Sequence, residues 1–190
     1  MKVYRSKLSE VLIIEPKIFS DARGFFVETW HQRRYGESGL PYLFVQDNLS
    51  FSTKGVIRGL HFQKPNSQGK LVSVLMGEIF DVAVDIRIGS PSFGHWVGIV
   101  LSDSNNRQLF IPEGFAHGFC VLGEEALVSY KCTNEYDSEA EGGVRWNDPD
   151  LNIGWPVNKP SLSDKDNNWP KLADVPEERL PQYNGETHEK

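Results

Sequence analysis

Short apolar runs separated by turn-rich gaps follow one another along most of the chain. The runs that read as strands are "VLIIEP", "GFFVETW", "LFVQDNLSFS", "GVIRGLHFQ", "KLVSVLMG", "EIFDVAVDI", "WVGIVLS", "RQLFIP", "HGFCVLG" and "ALVSYKC". Between them lie "MGE", "IGSPSFG", "SDSNN", "PEGFA" and "LGEEA", which carry the residues that tight turns use. Seventeen glycines and eleven prolines supply this punctuation, and the pattern predicts an all-β sandwich or barrel. A short helix is predicted around "HQRRYGESG", weakened by its two glycines.

The alternation is strictest in "EIFDVAVDIR". Phe80, Val82, Val84 and Ile86 share one face, and Asp81, Ala83 and Asp85 the other. A sandwich hides the first face and leaves the second in water or lining a cavity. After Asp137 the character changes to a stretch rich in Pro, Asp, Asn and Trp, which cannot form central strands. Its Trp146, Trp155 and Trp169 predict order through packing across the barrel. Residues 1–180 therefore read as one domain and 181–190 as a flexible tail.

Composition narrows the function. Of 190 residues, 20 are Lys or Arg and 26 Asp or Glu, a net charge of -6. That balance argues against a general nucleic-acid binder, while a few convergent arginines can still make a local anion pocket. Two cysteines, Cys120 and Cys132, are too few for a disulfide scaffold. The N-terminal apolar run covers only Val11 to Ile14, so neither a signal peptide nor a membrane helix is predicted, and the cytoplasm is the expected location.

The run "GVIRGLHFQ" sets Arg58 and His61 among apolar residues, with Lys70 soon after. Burying such groups is costly unless they are paired or functional. Arg58 and His61 are three apart, so an undistorted strand sends them to opposite faces. Gly59 between them is the position where a bulge would bring both inward. Further on, "FIPEGFAHGF" resembles the second motif of the cupin superfamily, whose histidine, here His117, often binds metal. A metal cupin also needs His-x-His with a glutamate soon after. Here Gln63 and the lysines Lys64 and Lys70 follow His61, and a lysine opposes a cation. The metal reading fails on ligand type. Acid–base chemistry α to a ketone fits these residue types, and so does a purely structural strand histidine.

Six fragments taken in order resemble the dTDP-4-dehydrorhamnose 3,5-epimerase family: "FSDARGFFVETW", "FVQDNLSFSTKGVIRGLHFQ", "QGKLVSVLMGEIFDVAVDIR", "FIPEGFAHGFCVL", "YKCTNEY" and "LSDKD". The resemblance implies a cupin-like jelly roll with a few short helices, mainly C-terminal. It also implies a homodimer needing no metal or organic cofactor, and a dTDP-linked 4-keto-6-deoxy sugar as substrate. It makes His61 the base, Asp166 its partner, Tyr130 the acid on the opposite face, and Lys70 the charge beside the C4 oxygen. Arg58, Asp81 and His117 would line the pocket. Gln46 and Asn48 would fix the nucleotide end, with Tyr136 packing near the sugar. Arg23, Phe26 and Glu28 would reach over from the partner subunit's N-terminal arm. The alternatives are an epimerase acting at C3 or C5 only and, more remotely, a non-catalytic nucleotide-sugar binding module or a metal-dependent cupin.

Overall fold

The computed structural model describes residues 1–40 and 43–185. The strands are β1 (Lys2–Arg5), β2 (Leu12–Glu15), β3 (Ile18–Asp21), β4 (Gly24–Val27), β5 (Gln46–Thr53), β6 (Ile57–Gln63), β7 (Lys70–Asp85), β8 (Trp96–Ser102), β9 (Gln108–Ile111), β10 (Phe115–Cys132) and β11 (Glu141–Gly143). Two short helices, α1 (Gln32–Gly36) and α2 (Asp164–Asn168), and two 3-10 turns, Leu172–Asp174 and Glu177–Arg179, complete the described elements. The all-β prediction holds, and the architecture is the cupin-like sandwich. The expected helix forms, with the His31 side chain accepting a hydrogen bond from the Arg34 amide at its start.

The main sheet runs β1-β2-β9-β7-β10-β6-β11, with β5 on β10 and β8 on β7. All its strand pairs are antiparallel. The sequence divides β7 at "MGE" and β10 at "LGEEA", expecting turns at both. Instead each run continues as one strand, of 16 and 18 residues. Gly77, at φ 82, lies opposite Ala126, and the register slips between Val121 and Ala126 and again between Leu127 and Val128. Such irregularities bend two paired strands together, so turn-forming residues here make a corner and not a reversal.

Three apolar clusters fill the fold. Val72, Ile79, Ala83, Leu101, Leu109, Phe119 and Val128 belong to the first, inside the barrel. The second joins Leu60, Val82, Val84 and Ile86 to Val144, Leu151, Leu172, Val175 and Leu180 of the C-terminal segment. A third sets Ile14, Leu71 and Phe110 under Tyr35 and Leu40. Each fully buried aliphatic side chain contributes about 1.5–3 kcal/mol. Both faces of the alternating stretch are therefore covered. The Val82, Val84 and Ile86 face is roofed by the tryptophan-rich segment, while Ala83 faces the interior. Trp155 meets Phe80 edge-on and donates its indole N–H to the Trp146 carbonyl at 2.7 Å.

The chain stays attached beyond Leu180. Ile88 bridges Gln182, the Tyr183 amide donates to the Ile88 carbonyl, and Arg87 lies over the Tyr183 ring at 4.9 Å. This part of the expected tail is thus tied into the domain; residues 186–190 lie outside the described residues.

The same arginine anchors a buried ionic cluster. Arg87 donates to Asp85 at 2.8 and 2.9 Å and to Glu10 at 2.7 Å from each terminal nitrogen. Ser90 and Ser92 add hydroxyl bonds to Asp85. Burial pushes the Asp85 carboxyl up, but these donors outweigh it and hold the group below its ordinary value. A carboxylate depressed on folding contributes stability above its unfolded pKa, which is lost as pH falls through the folded value. Asp85→Asn is expected to cost about 3–5 kcal/mol at pH 7 in urea denaturation. Its deficit relative to the parent should shrink below about pH 4; a deficit independent of pH in that range would refute the charged assignment.

Candidate active site

His61 and Asp166 are 105 positions apart, yet their Nε2 and Oδ1 atoms lie 2.5 Å apart. His61 sits on β6 with its side chain half-buried; Asp166 sits on α2 and is 4% exposed. Local sequence explains the helix. Ser163 caps it, its hydroxyl accepting the Asp166 amide at 3.1 Å, which makes "LSDKD" an N-cap signature. Burial raises the Asp166 carboxyl, but the hydrogen bond and charge of His61, with Ser163 assisting, lower it further, so it stays ionised.

The parity problem at Arg58 and His61 resolves as the sequence suggests. His61 lies opposite His117 and Arg58 opposite Phe119, so three steps on β6 match two on β10. His117 and Phe119 share a face, and hence so do Arg58 and His61. Gly59, at φ 117, occupies the irregular position. A Cβ there would lie 2.5 Å from the Gly118 Cα and 2.6 Å from the His117 carbonyl oxygen.

A cleft of about 280 Å³ opens beside His61, walled by Gln46, Asn48, Gln63, Lys70, Tyr130, Tyr136 and Glu141 among others. Tyr130 projects from β10 between Asn48 of β5 and Val72 of β7. Burial, with lesser contributions from Cys132 and Glu141, raises its hydroxyl pKa, while the Arg58 charge pulls the other way; the phenol stays protonated at neutral pH. Lys70 begins β7 opposite Cys132. Burial lowers its pKa, opposed by Cys132, Asp81 and Glu141. Among the described residues its ammonium has no hydrogen-bonded partner, so its donors are free for a bound oxygen.

Arg58, Asp81 and His117 are not among the residues walling the cleft. Arg58 is turned to β5, donating to the Ser52 hydroxyl at 2.9 Å and the Phe51 carbonyl at 3.2 Å. His117 and Asp81 form a buried pair at 2.7 Å, with Asp81 Oδ2 unpartnered. They stand on the inner face, with His117 directly opposite His61. Gln46, Asn48 and Tyr136 do wall the cleft. Gln46 donates to Asn48 at 2.9 Å and accepts the Tyr136 amide at 2.8 Å.

Arg23, Phe26 and Glu28 lie away from this cleft, on and beside the β3–β4 hairpin. The Arg23 side chain is 90% exposed and paired with Asp21, Phe26 is 67% exposed, and Glu28 pairs with Arg34. Within one chain, these residues and the His61 cleft do not meet.

Sequence reasoning missed Glu141 and Lys165. Glu141 accepts the Tyr136 hydroxyl at 2.8 Å and the Lys165 ammonium at 2.8 Å. Burial raises the Glu141 carboxyl, but these two bonds lower it and keep it charged. "AEGGV" reads as loop, and only the register of Glu141 opposite Gln63 on β11 exposes its place. Among the described residues no three His, Cys, Asp or Glu side chains converge as a metal site requires. No helix among them is long and apolar enough to cross a membrane.

Comparisons with known proteins follow this geometry. The family model described as dTDP-4-dehydrorhamnose 3,5-epimerase matches residues 5–174. A dTDP-4-dehydrorhamnose 3,5-epimerase of Shigella flexneri is 56% identical over 177 residues, covering 92% of this chain and 98% of its own. The crystal structure of dTDP-6-deoxy-D-glucose-3,5-epimerase from Legionella pneumophila Philadelphia 1, in complex with dTDP-4-keto-L-rhamnose, superposes with a TM-score of 0.95. It is 52% identical and covers 97% of this chain and 99% of that one. A dTDP-4-dehydrorhamnose 3-epimerase of Streptomyces niveus is 42% identical over 164 residues, covering 85% of this chain and 79% of its own.

The close approach at Gly59 yields a test of how His61 is placed. Gly59→Ala must separate β6 from β10 or strain the backbone. It is expected to lower stability by at least about 2 kcal/mol in urea denaturation. Parent-like stability would show that the irregularity does not set the face of His61.

Proposed function

The chain belongs to the dTDP-4-dehydrorhamnose 3,5-epimerase family, isomerases that invert C3 and C5 of a dTDP-linked 4-keto-6-deoxy sugar, and we propose that its own residues divide that work as follows. His61 Nε2–H donates to Asp166, which leaves Nδ1 with the lone pair that removes the C3 or C5 proton. The bonding electrons move to the C4 oxygen, forming an enolate. The unpaired Lys70 ammonium stabilises that oxygen, an interaction stronger in the transition state than in the ketone. Tyr130 then returns a proton to the opposite face of the same carbon, and solvent resets histidinium and tyrosinate. C3 and C5 flank one ketone, so one set of groups serves both. No metal or organic cofactor enters this scheme. The observation that carries it is His61, bonded to Asp166, on a cleft wall shared with Tyr130 and Lys70.

The substrate in this reading is the dTDP-4-keto-6-deoxy sugar itself. Pockets that bury whole small ligands measure about 300–1,000 Å³, and this cleft falls just below that range. It suits the sugar, with Tyr136, Gln46 and Asn48 leading toward the nucleotide. The forked donors of Arg23 suit a diphosphate, but Arg23 is not among the residues that wall the chain's own cleft. The hairpin also exposes Ile18, Phe19, Phe25 and Phe26, while β5 exposes Leu49 and Phe51. Two copies covering these surfaces would bring one hairpin, with Arg23, Phe26 and Glu28, to the other's nucleotide site. Cys120 and Cys132 are unpaired, which suits the reducing cytoplasm.

The reaction is tested by incubating the enzyme with dTDP-4-keto-6-deoxy-D-glucose in D₂O, with and without EDTA. Deuterium is expected at C3 and C5 in both conditions. Label at one carbon only would make it a single-site epimerase, and dependence on a metal would sink the scheme. His61→Asn and Tyr130→Phe should each slow turnover by ~10²–10⁴. Lys70→Met should lose ~10²–10³ and also remove a basic limb of kcat. Because Lys70 is held below its ordinary value of 10.5, its charge and that rate should fall below pH 10.5.

The shared site is tested by mixing two inactive variants, His61→Asn and Arg23→Ala. A mixed dimer has one intact site, made of His61 from one chain and Arg23 from the other. Subunit exchange should restore roughly a quarter of parent activity. No recovery after proven exchange would place each site within one chain.

A further inference from the structure

Trp169 lies three residues after Asp166 and closes α2. Its ring stands edge-on to the His61 ring, with centroids 6.3 Å apart and planes at 72°. Its other neighbour is Gly143, where a Cβ would overlap indole carbons and nitrogen. Gly143 is the residue directly opposite His61 in the β11–β6 register. The indole therefore fills the angle between the histidine, its cross-strand neighbour and the helix that carries the aspartate. Arg145 fixes the backbone on the far side, its Nε donating to the Trp169 carbonyl at 3.1 Å and its amide to the Pro170 carbonyl at 2.7 Å.

One property sets this tryptophan apart from a packing residue. Trp155 and Trp96 both give their indole N–H to backbone carbonyls. The Trp169 Nε1 is buried and makes no hydrogen bond of normal geometry. A buried donor left without a partner is uncommon. The N–H is nevertheless directed at Asp166: as a weak side-chain donor it is the last of the influences that lower the carboxyl, after burial, which opposes them, His61 and Ser163.

We propose that Trp169 is a positioning residue of the base: its indole wedges α2 against β11 so that Asp166 is held on His61. The inference rests on the reading of His61–Asp166 as the base. The wedge supplies what a single hydrogen bond from a five-residue helix cannot, namely resistance to α2 swinging away when His61 takes up and releases a proton. Gly143 is part of the device, because only a residue without a side chain lets the ring reach its place.

The test compares five variants of the enzyme in steady-state kinetics: Trp169→Ala, Trp169→Phe, Gly143→Ala, Asp166→Asn and the double variant Trp169→Ala with Gly143→Ala. Trp169→Ala should lower kcat about tenfold or more with KM within about twofold, because substrate binding does not use the ring. Trp169→Phe keeps the wedge and should recover most of the rate. Gly143→Ala displaces the ring from the other side and should reproduce the loss, and the double variant should be no slower than either single one.

A kcat within twofold of the parent for Trp169→Ala, a rise in KM alone, or additive losses would each overturn the proposal. Should Trp169→Ala fail to fold, Gly143→Ala and Trp169→Phe decide by the same kcat and KM criteria. The two readings separate cleanly. If Asp166→Asn keeps parent activity, the base assignment fails; if it is slow while Trp169→Ala is normal, only the role of Trp169 fails.

Discussion

A hydrogen bond of 2.5 Å joins a strand of the barrel to a helix near the other end of the chain, and much of the molecule exists to make it possible. His61 could not stay on the inner face without the irregular step at Gly59. Asp166 could not reach it without a segment that leaves the barrel, crosses the Val82, Val84 and Ile86 face and returns. That crossing has its own anchors. Lys64 donates to the Leu180 carbonyl at 2.5 Å, and Arg179 donates to the Glu141 carbonyl at 3.0 Å. The apolar roof gives the segment its stability, and the polar bonds give it a register. A segment without strands can therefore deliver one carboxylate to one ring nitrogen.

The same pair sets the electrostatics of the cleft. In the proposed mechanism a proton leaves one face of a carbon and another arrives at the other, so the base must stand unprotonated and the acid protonated while sharing a small space. Asp166 and Glu141 are kept ionised, by His61 on one side and by Lys165 and Tyr136 on the other. Tyr130 is kept protonated by burial. Lys70 is left charged but unpaired, at the cost of a lowered pKa. Had the sheet offered Lys70 a carboxylate within hydrogen-bond distance, the ammonium would be more stable and of less use to a developing enolate. The nearest acidic groups act on it through space only.

How much of this could be read beforehand depended on whether a feature was local. The strands, the short helix at "HQRRYGESG", the need for a bulge at Gly59 and the order of the tryptophan-rich segment are all near-neighbour properties, and they were legible. The corners in β7 and β10 were not. "MGE" and "LGEEA" carry turn residues, and only pairing between the two strands decides whether such residues reverse a chain or bend it. Asp166 posed a harder case: "LSDKD" announces a helix cap, while its place beside His61 came from family resemblance, since no pattern spans 105 positions. Glu141 escaped because its role is created by β11, a strand of three residues with two glycines. Strand parity gave the shared face of Arg58 and His61 but not the partners met there, Ser52 for Arg58 and Asp81 for His117.

The surfaces that look unfinished follow from the same constraint. The C-terminal segment that holds Asp166 roofs one face of the barrel and, among the described residues, leaves β5 uncovered. Leu49 and Phe51 on that strand remain exposed at 61% and 52%, and the β3–β4 hairpin, whose strands pair only with each other, exposes four large apolar residues of its own. The cleft, at about 280 Å³, is likewise smaller than a pocket that buries a whole small ligand. In the proposed dimer a second copy would answer both deficits at once, since the hairpin carries an arginine suited to a diphosphate and the apolar residues a bare strand needs. On this view the catalytic pair is completed within one chain and substrate binding between two. That division separates the groups that must be placed to tenths of an ångström from those that need only supply charge and contact area.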